Sequence, residues 1–255
     1  DFDALTDYQG ITLQFHDVAR KIEKLHILFE NSDLKPGDKV AICGRNSAHW
    51  AVAFLATLTY GAVAVPILHE FNPEQIHNIV NHSEARLLFV GDYVVKTIDA
   101  NEMPHLEGII NIPDFSLHTS RSEKLTYARE HLNLMFGSKY PKAFRAEHVH
   151  YHVDEADELA LINYTSGTTG DPKGVMLSQR NLISVLETVI DGGDIPVDGY
   201  AAHISFLPLA HIFERMVICG FMGIGGKVGF ISGSVRTTLM DDIRYFGPTL
   251  LFTES

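Results

Sequence analysis

The stretch Leu159-Ala160-Leu161-Ile162-Asn163-Tyr164-Thr165-Ser166-Gly167-Thr168-Thr169-Gly170-Asp171-Pro172-Lys173-Gly174-Val175-Met176-Leu177 decides how the rest of the chain is read. The apolar runs at 159–162 and 175–177 predict two strands, so the polar segment between them joins strands rather than dangling. That segment is made of hydroxyls, glycines and one lysine. Glycine lacks the Cβ that would hold the backbone away from a ligand, and it takes positive φ without strain. Consecutive backbone N–H groups in such a turn make an anion-binding concavity. Lys173 adds a mobile point charge suited to phosphate oxygens. The segment therefore reads as a phosphate-holding loop. Two other readings stand beside it. A solvated turn has a similar composition, because Gly, Ser and Thr are common turn formers. An ordinary P-loop would share the spacing from Gly167 to Lys173, but Pro172 stands where the second glycine is needed and Gly174 where Ser or Thr would bind magnesium.

Outward from the loop, strands and helices alternate. Thr12 is a candidate cap for a helix whose apolar positions Phe15, Val18, Ile22, Leu25 and Phe29 recur at helical spacing. Lys35-Pro36-Gly37-Asp38 breaks it. A strand is expected at 40–43, then a helix from Ala48 to Thr59, capped by Asn46 or Ser47 and ended by Gly61. Strands follow at 63–67, 86–90 and 108–112. Asn72-Pro73-Glu74-Gln75 has the form of a capping box with proline at the first helical position. Downstream, Ser178 opens a helix to about Val189. The glycine-rich segment 216–226 reads as a core helix with small faces, and 227–231 as a further strand. Such alternation implies right-handed crossovers and an α/β fold, with mostly parallel sheets flanked by helices.

The stretch 137–157 turns polar and reads as a connector. It holds His148, His150 and His152, followed by the acidic residues Asp154, Glu155, Asp157 and Glu158. The histidine trio lacks carboxylate or cysteine partners at familiar metal spacings, so alternation in a half-exposed segment is the preferred reading over metal binding. With 255 residues, 45% of them hydrophobic, the chain can bury a substantial core. A formal net charge of −12 argues against a nucleic-acid or anionic-membrane surface, so a polyanion must be gripped locally by backbone donors and a few cations. Cys43 and Cys219 sit in apolar stretches with no ligand spacing, which predicts reduced, buried thiols and an intracellular setting. No signal peptide and no apolar run of membrane-spanning length is visible.

The whole segment 164–181, YTSGTTGDPKGVMLSQRN, resembles the phosphate-binding signature of the adenylate-forming superfamily, which includes acyl-CoA synthetases, adenylation domains of peptide synthetases and luciferases. Ser205-Phe206-Leu207-Pro208-Leu209-Ala210-His211-Ile212-Phe213-Glu214-Arg215 is similar to that family's second signature, in the form typical of long-chain fatty acid–CoA ligases. GDKVAI, Asn46, Trp50 and GAVAVPI also resemble its N-terminal subdomain, where they build scaffold rather than site.

The resemblance implies a two-step reaction. A fatty acid carboxylate attacks the α-phosphate of ATP, and the thiol of CoA then takes the acyl group from the adenylate. It assigns Thr165, Ser166, Gly167, Thr168, Thr169, Gly170 and Lys173 to the phosphates, Thr165 to Mg2+ as well, and His211 to a catalytic place beside the acyl carboxylate and the adenylate. Glu214-Arg215 is expected to form a local ion pair shaping the channel mouth. No luciferin pocket is indicated. The resemblance further implies a cytoplasmic protein, with at most peripheral membrane contact, no nucleic-acid partner and room for a homodimer. The family's later motifs, among them a magnesium-binding Glu, a ribose-binding Asp and an adenylation lysine, are not found before Ser255. The chain is thus expected to be an incomplete N-terminal domain of the adenylate-forming fold: a first α/β subdomain at about 12–136, the connector at 137–157, and at 158–255 the phosphate-loop and acyl-site part of a second. The C-terminal lid domain would be missing, and the isolated chain would be a non-catalytic scaffold or a weak nucleotide-binding fragment.

Overall fold

A computed structural model of the chain describes residues 2–165, 173–191 and 201–252. In chain order the elements are β1 (Asp3–Asp7), β2 (Thr12–Gln14), α1 (Phe15–Asn31), β3 (Lys39–Cys43), α2 (Ala48–Thr59), β4 (Val63–Ile67), α3 (Pro73–Ser83), β5 (Leu87–Val90), β6 (Gly108–Asn111), β7 (Leu117–Ser120), α4 (Glu123–Glu130), α5 (Leu132–Lys139), β8 (Leu159–Thr165), β9 (Lys173–Ser178), α6 (Gln179–Asp191), β10 (Ala202–Ser205), α7 (Ile212–Gly223), β11 (Lys227–Phe230) and α8 (Val235–Phe246). The chain divides into two compact units. One comprises Asp1–Val18, Asn46–Ala48 and Arg180–Ser255; the other comprises Ala19–Arg45 and His49–Gln179.

The larger unit is built on a seven-stranded sheet of order β7-β6-β5-β3-β4-β8-β9. Its centre is parallel: β3 pairs with β4, Ala41 opposite Val65, and with β5, Ala41 opposite Leu88. Both outer pairs, β6 with β7 and β8 with β9, are antiparallel. Strands covered on both faces must be apolar at every position rather than alternately, and β4 and β5 are buried throughout. Parallel neighbours need a crossover long enough for a helix, which α2 supplies between β3 and β4 and α3 between β4 and β5. The predicted capping box on α3 is present: the Gln75 amide donates to Asn72 Oδ1 at 2.9 Å and the Asn72 amide donates to Gln75 Oε1 at 3.1 Å. At the end of α2, Gly61 takes φ +82, as the expected glycine stop requires. The strands flanking the predicted connector, β7 and β8, lie in this one sheet.

The smaller unit holds a four-stranded sheet of order β10-β11-β1-β2. Strand β1 runs parallel to β11, with Leu5 opposite Val228, and antiparallel to β2, with Leu5 opposite Leu13. The helix cap expected at Thr12 is therefore wrong. Thr12 belongs to a strand, and α1 starts at Phe15, where Asp17 Oδ2 reaches back to accept from the Gln14 amide at 3.1 Å. No helix among the described residues is long and apolar enough to cross a membrane.

Candidate active site

Strand β8 enters the larger unit's sheet beside β4, Leu161 opposite Ala64, and turns back as β9. The register of this antiparallel pair ends with Tyr164 opposite Gly174 and Thr165 opposite Lys173. The two ends of the glycine-rich segment are thus neighbouring, exposed residues at the loop end of a hairpin, one presenting a hydroxyl and the other an ammonium. Behind them the hairpin is fixed. Tyr164 is 7% exposed, and its hydroxyl meets His82 Nδ1 of α3 at 2.7 Å. Gly174 is required at its place by this packing, since a Cβ there would lie 2.6 Å from Ile162 Cγ2 and 3.1 Å from Tyr164 Cζ. Ser166, Gly167, Thr168, Thr169 and Gly170 lie outside the described residues.

The second predicted site residue, His211, belongs to the smaller unit. It occupies the N-cap position of α7 in extended conformation, φ −85 and ψ 139, with its backbone amide donating to Pro208 O at 2.9 Å. Its side chain makes no capping bond and the residue is exposed. It therefore stands where the unpaired amides and the positive dipole end of α7 favour a negative group.

The segment leading to His211 is held by a residue that sequence reasoning assigned to a cap. Asn46 Nδ2 donates to Ser205 Oγ at 3.0 Å and to Leu207 O at 2.7 Å, while its Oδ1 accepts from the Leu209 amide at 2.9 Å. With its side chain spent on this bracket, the first amide of α2 is served elsewhere: Ala48 N donates to Asp7 Oδ1 at 2.8 Å. Burial pushes the Asp7 carboxyl above its usual range, against the opposing effect of that bond. No local signal separates a bracketing Asn from a capping one, because both precede a helix.

Beneath His211, Glu214 and Arg215 point to different partners, which corrects the expected ion pair between them. Successive helical residues diverge around the axis and do not face each other. Glu214 Oε1 meets His203 Nε2 of β10 at 2.8 Å, with both side chains 0% exposed. Arg215 Nη1 donates to Leu209 O at 2.6 Å, so Leu209 is gripped at its amide by Asn46 and at its carbonyl by Arg215. Burial pushes the Arg215 guanidinium down to about 9, which leaves it charged at neutral pH. The segment 205–211 is thus a rigid bridge into α7, and Phe221 and Phe252 lie against the His203 ring. Both cysteines are free; burial pushes the thiol of Cys43 up to about 12 and that of Cys219 up to about 11.

Comparison with known proteins adds to this geometry. The family model described as AMP-binding enzyme matches residues 1–253. The chain is 31% identical over 228 residues to fatty acyl-CoA synthetase A of Dictyostelium discoideum, covering 86% of the chain and 32% of that protein. It is 30% identical to human long-chain-fatty-acid–CoA ligase 1 over 223 residues, covering 84% and 31%. Among solved structures, ATP-bound MatB of Rhodopseudomonas palustris superposes with a TM-score of 0.74 at 22% identity, covering 98% of this chain and 46% of the other. The likeness to MatB concerns the fold. The chain spans about a third of the length of the two curated relatives.

Proposed function

We propose a function from one premise: the chain belongs to the AMP-binding enzyme family. It is the phosphate-loop and acyl-site part of an ATP-dependent long-chain fatty acid–CoA ligase, which forms an acyl-adenylate and pyrophosphate and then acyl-CoA. The observation that carries this reading is the β8–β9 hairpin, which sets Thr165 opposite Lys173 at the ends of the glycine-rich segment.

The donor set fits a phosphate and a magnesium ion. Magnesium takes oxygen ligands and keeps several waters, and Thr165 offers one hydroxyl oxygen. Lys173 offers the point charge. Bound magnesium would supply charge neutralisation between phosphate oxygens, and Thr165 would be this chain's contribution to holding it. The remaining chemistry is positioning and electrostatics. Lys173 holds the β- and γ-phosphates against departure in a wrong direction and stabilises the negative charge that grows on the leaving pyrophosphate. His211 and the amides at the start of α7 receive the fatty acid carboxylate and the adenylate, and the Asn46–Leu209–Arg215 grip keeps that receiving edge from moving. In the second step the sulfur of CoA attacks the acyl carbon, losing its proton, while the bond from that carbon to the phosphate oxygen breaks and AMP leaves.

The test is pyrophosphate exchange by the protein at the full length of its relatives. Exchange should depend on a fatty acid and fall by at least about a hundredfold in Lys173→Ala, the scale of losing one preorganised electrostatic contact. Exchange that requires an amino acid instead sinks the reading. A second reading is favoured by the fraction of its relatives that the chain spans: by itself it is a scaffold or a weak nucleotide binder. Calorimetry of the chain with Mg-ATP and with a fatty acid tests this, and thioester formation by the chain alone would overturn it.

A further inference from the structure

The connector carries a constellation that its sequence spacing concealed. His152, Asp154 and Glu158 each bring one ligand atom to a common point, all within 4.8 Å of one another. His152 Nε2 lies 3.0 Å from Glu158 Oε1 and 3.1 Å from Oε2. Two donors about 2.1 Å from a shared tetrahedral ion are separated by about 3.4 Å, so the imidazole and the carboxylate already stand at near-coordinating separation. The expectation that His152 lacks carboxylate partners is thus incorrect. Those partners follow at positions +2 and +6 of an irregular segment, a spacing that belongs to no regular element.

The two carboxylates are hydrogen-bonded from behind, as metal-ligating carboxylates are, and His152 is anchored through its backbone and by packing of its ring. The His152 amide donates to Thr59 O at 2.9 Å, and the ring lies against Gly61, where a Cβ would come within 2.7 Å of Cγ and Cδ2. Asp154 Oδ1 accepts from Gln179 Nε2 at 3.1 Å, and Glu158 Oε2 accepts from the Glu155 amide at 3.1 Å. His148 is committed elsewhere, its Nδ1 accepting from the Arg145 amide at 2.9 Å. A cation between the Asp154 and Glu158 carboxylates would offset the repulsion between two like charges held this close.

We propose that His152, Asp154 and Glu158 form a three-ligand site for a divalent transition-metal ion, zinc above others, that clips the connector to the start of β8. One imidazole nitrogen with two carboxylate oxygens suits zinc or manganese; calcium and magnesium want oxygen alone. The remaining coordination position falls to water, since Asp154 is exposed. The ion's role is structural: it bridges residue 152, anchored on the turn after α2, to the strand that leads into the glycine-rich segment.

The test uses the tag-free chain, stripped with chelator and titrated with zinc chloride by calorimetry, with cobalt absorption as a second readout. One zinc per chain is expected, accompanied by a rise in thermal midpoint. Asp154→Asn and Glu158→Gln, whose fold is checked by circular dichroism, should each weaken binding by about tenfold or more. The double variant His148→Gln/His150→Gln should bind as the parent does. The proposal is overturned by the absence of saturable zinc binding, by unchanged affinity in Asp154→Asn, or by loss of binding in the His148/His150 double variant.

Discussion

Replacing Asn46 by Asp separates two roles that the sequence alone cannot. A helix N-cap accepts Asn and Asp about equally, and the negative charge at the start of α2 would add about 0.3–1 kcal/mol of stability. Were Asn46 a cap, Asn46→Asp would be neutral or stabilising. In the bracket the opposite holds. Nδ2 donates to Ser205 Oγ at 3.0 Å and to Leu207 O at 2.7 Å, and a carboxylate has no proton to replace either bond. At about 1 kcal/mol of net contribution per bond the loss is about 2 kcal/mol. Setting a carboxylate oxygen against the Leu207 carbonyl adds to it. For a chain of this size that corresponds to a fall of about 4–8 °C in thermal midpoint. Thermal unfolding followed by near-ultraviolet circular dichroism, with a urea midpoint as an independent measure, reads the difference. A variant that melts within about 1 °C of the parent, or above it, would refute the bracket. Asn46→Ala should fall as well, since it loses the 2.9 Å bond from the Leu209 amide along with the other two.

Three further outcomes follow from the same geometry. Glu214→Ala removes one partner of a pair with no solvent exposure and leaves His203 stranded, so it should cost about 3 kcal/mol or more; a urea-derived cost under about 1 kcal/mol would remove the pair from the accounting of stability. Asp7→Asn should raise stability at neutral pH. The Asp7 carboxyl is raised by burial, so the folded state binds a proton that the unfolded state has already released, and stability falls as pH rises through the carboxylate range. The variant's advantage should therefore be present at pH 7 and vanish below that range, and an advantage independent of pH would contradict this cause. Cys43, buried and with its thiol pushed up to about 12, should resist maleimide or disulfide reagents in the native state and react on unfolding; native-state labelling of Cys43 detected by mass spectrometry would contradict its burial.

What could be read from the sequence was local. Helix α2, strand β4 and the start of α3 fall at their expected residues because Gly61, continuous apolar runs and Asn72-Pro73-Gln75 act through neighbours a few positions away. The hairpin of β8 and β9 was legible for the same reason: two apolar runs bound a turn-rich segment. What depended on distant partners was not. The first ten residues read as polar, yet Leu5 is fully buried in a strand that pairs with β11, Leu5 opposite Val228. Nothing in the local pattern specifies the sheet order that brings β8 beside β4. The bracket made by Asn46 reaches residues 205–209, and Glu214 finds His203 rather than its neighbour in sequence, because direction around a helix and the strand beneath it decide the partner.

The placement of β1 has a consequence for how the protein is made. A ribosome delivers β1 and β2 well before β11, which β1 needs along its other edge and which emerges only after the described strands of the larger unit. At about 5–20 residues per second that wait is roughly 10 to 45 s. Throughout it, Ala4 and Leu5, fully buried in the finished protein, are offered to solvent on a two-stranded ribbon that is marginally stable at best. The β1–β2 pair, made before the larger sheet, is thus sealed after it. During translation it is the place where a holding chaperone, or a neighbouring nascent chain, has the longest opportunity to bind.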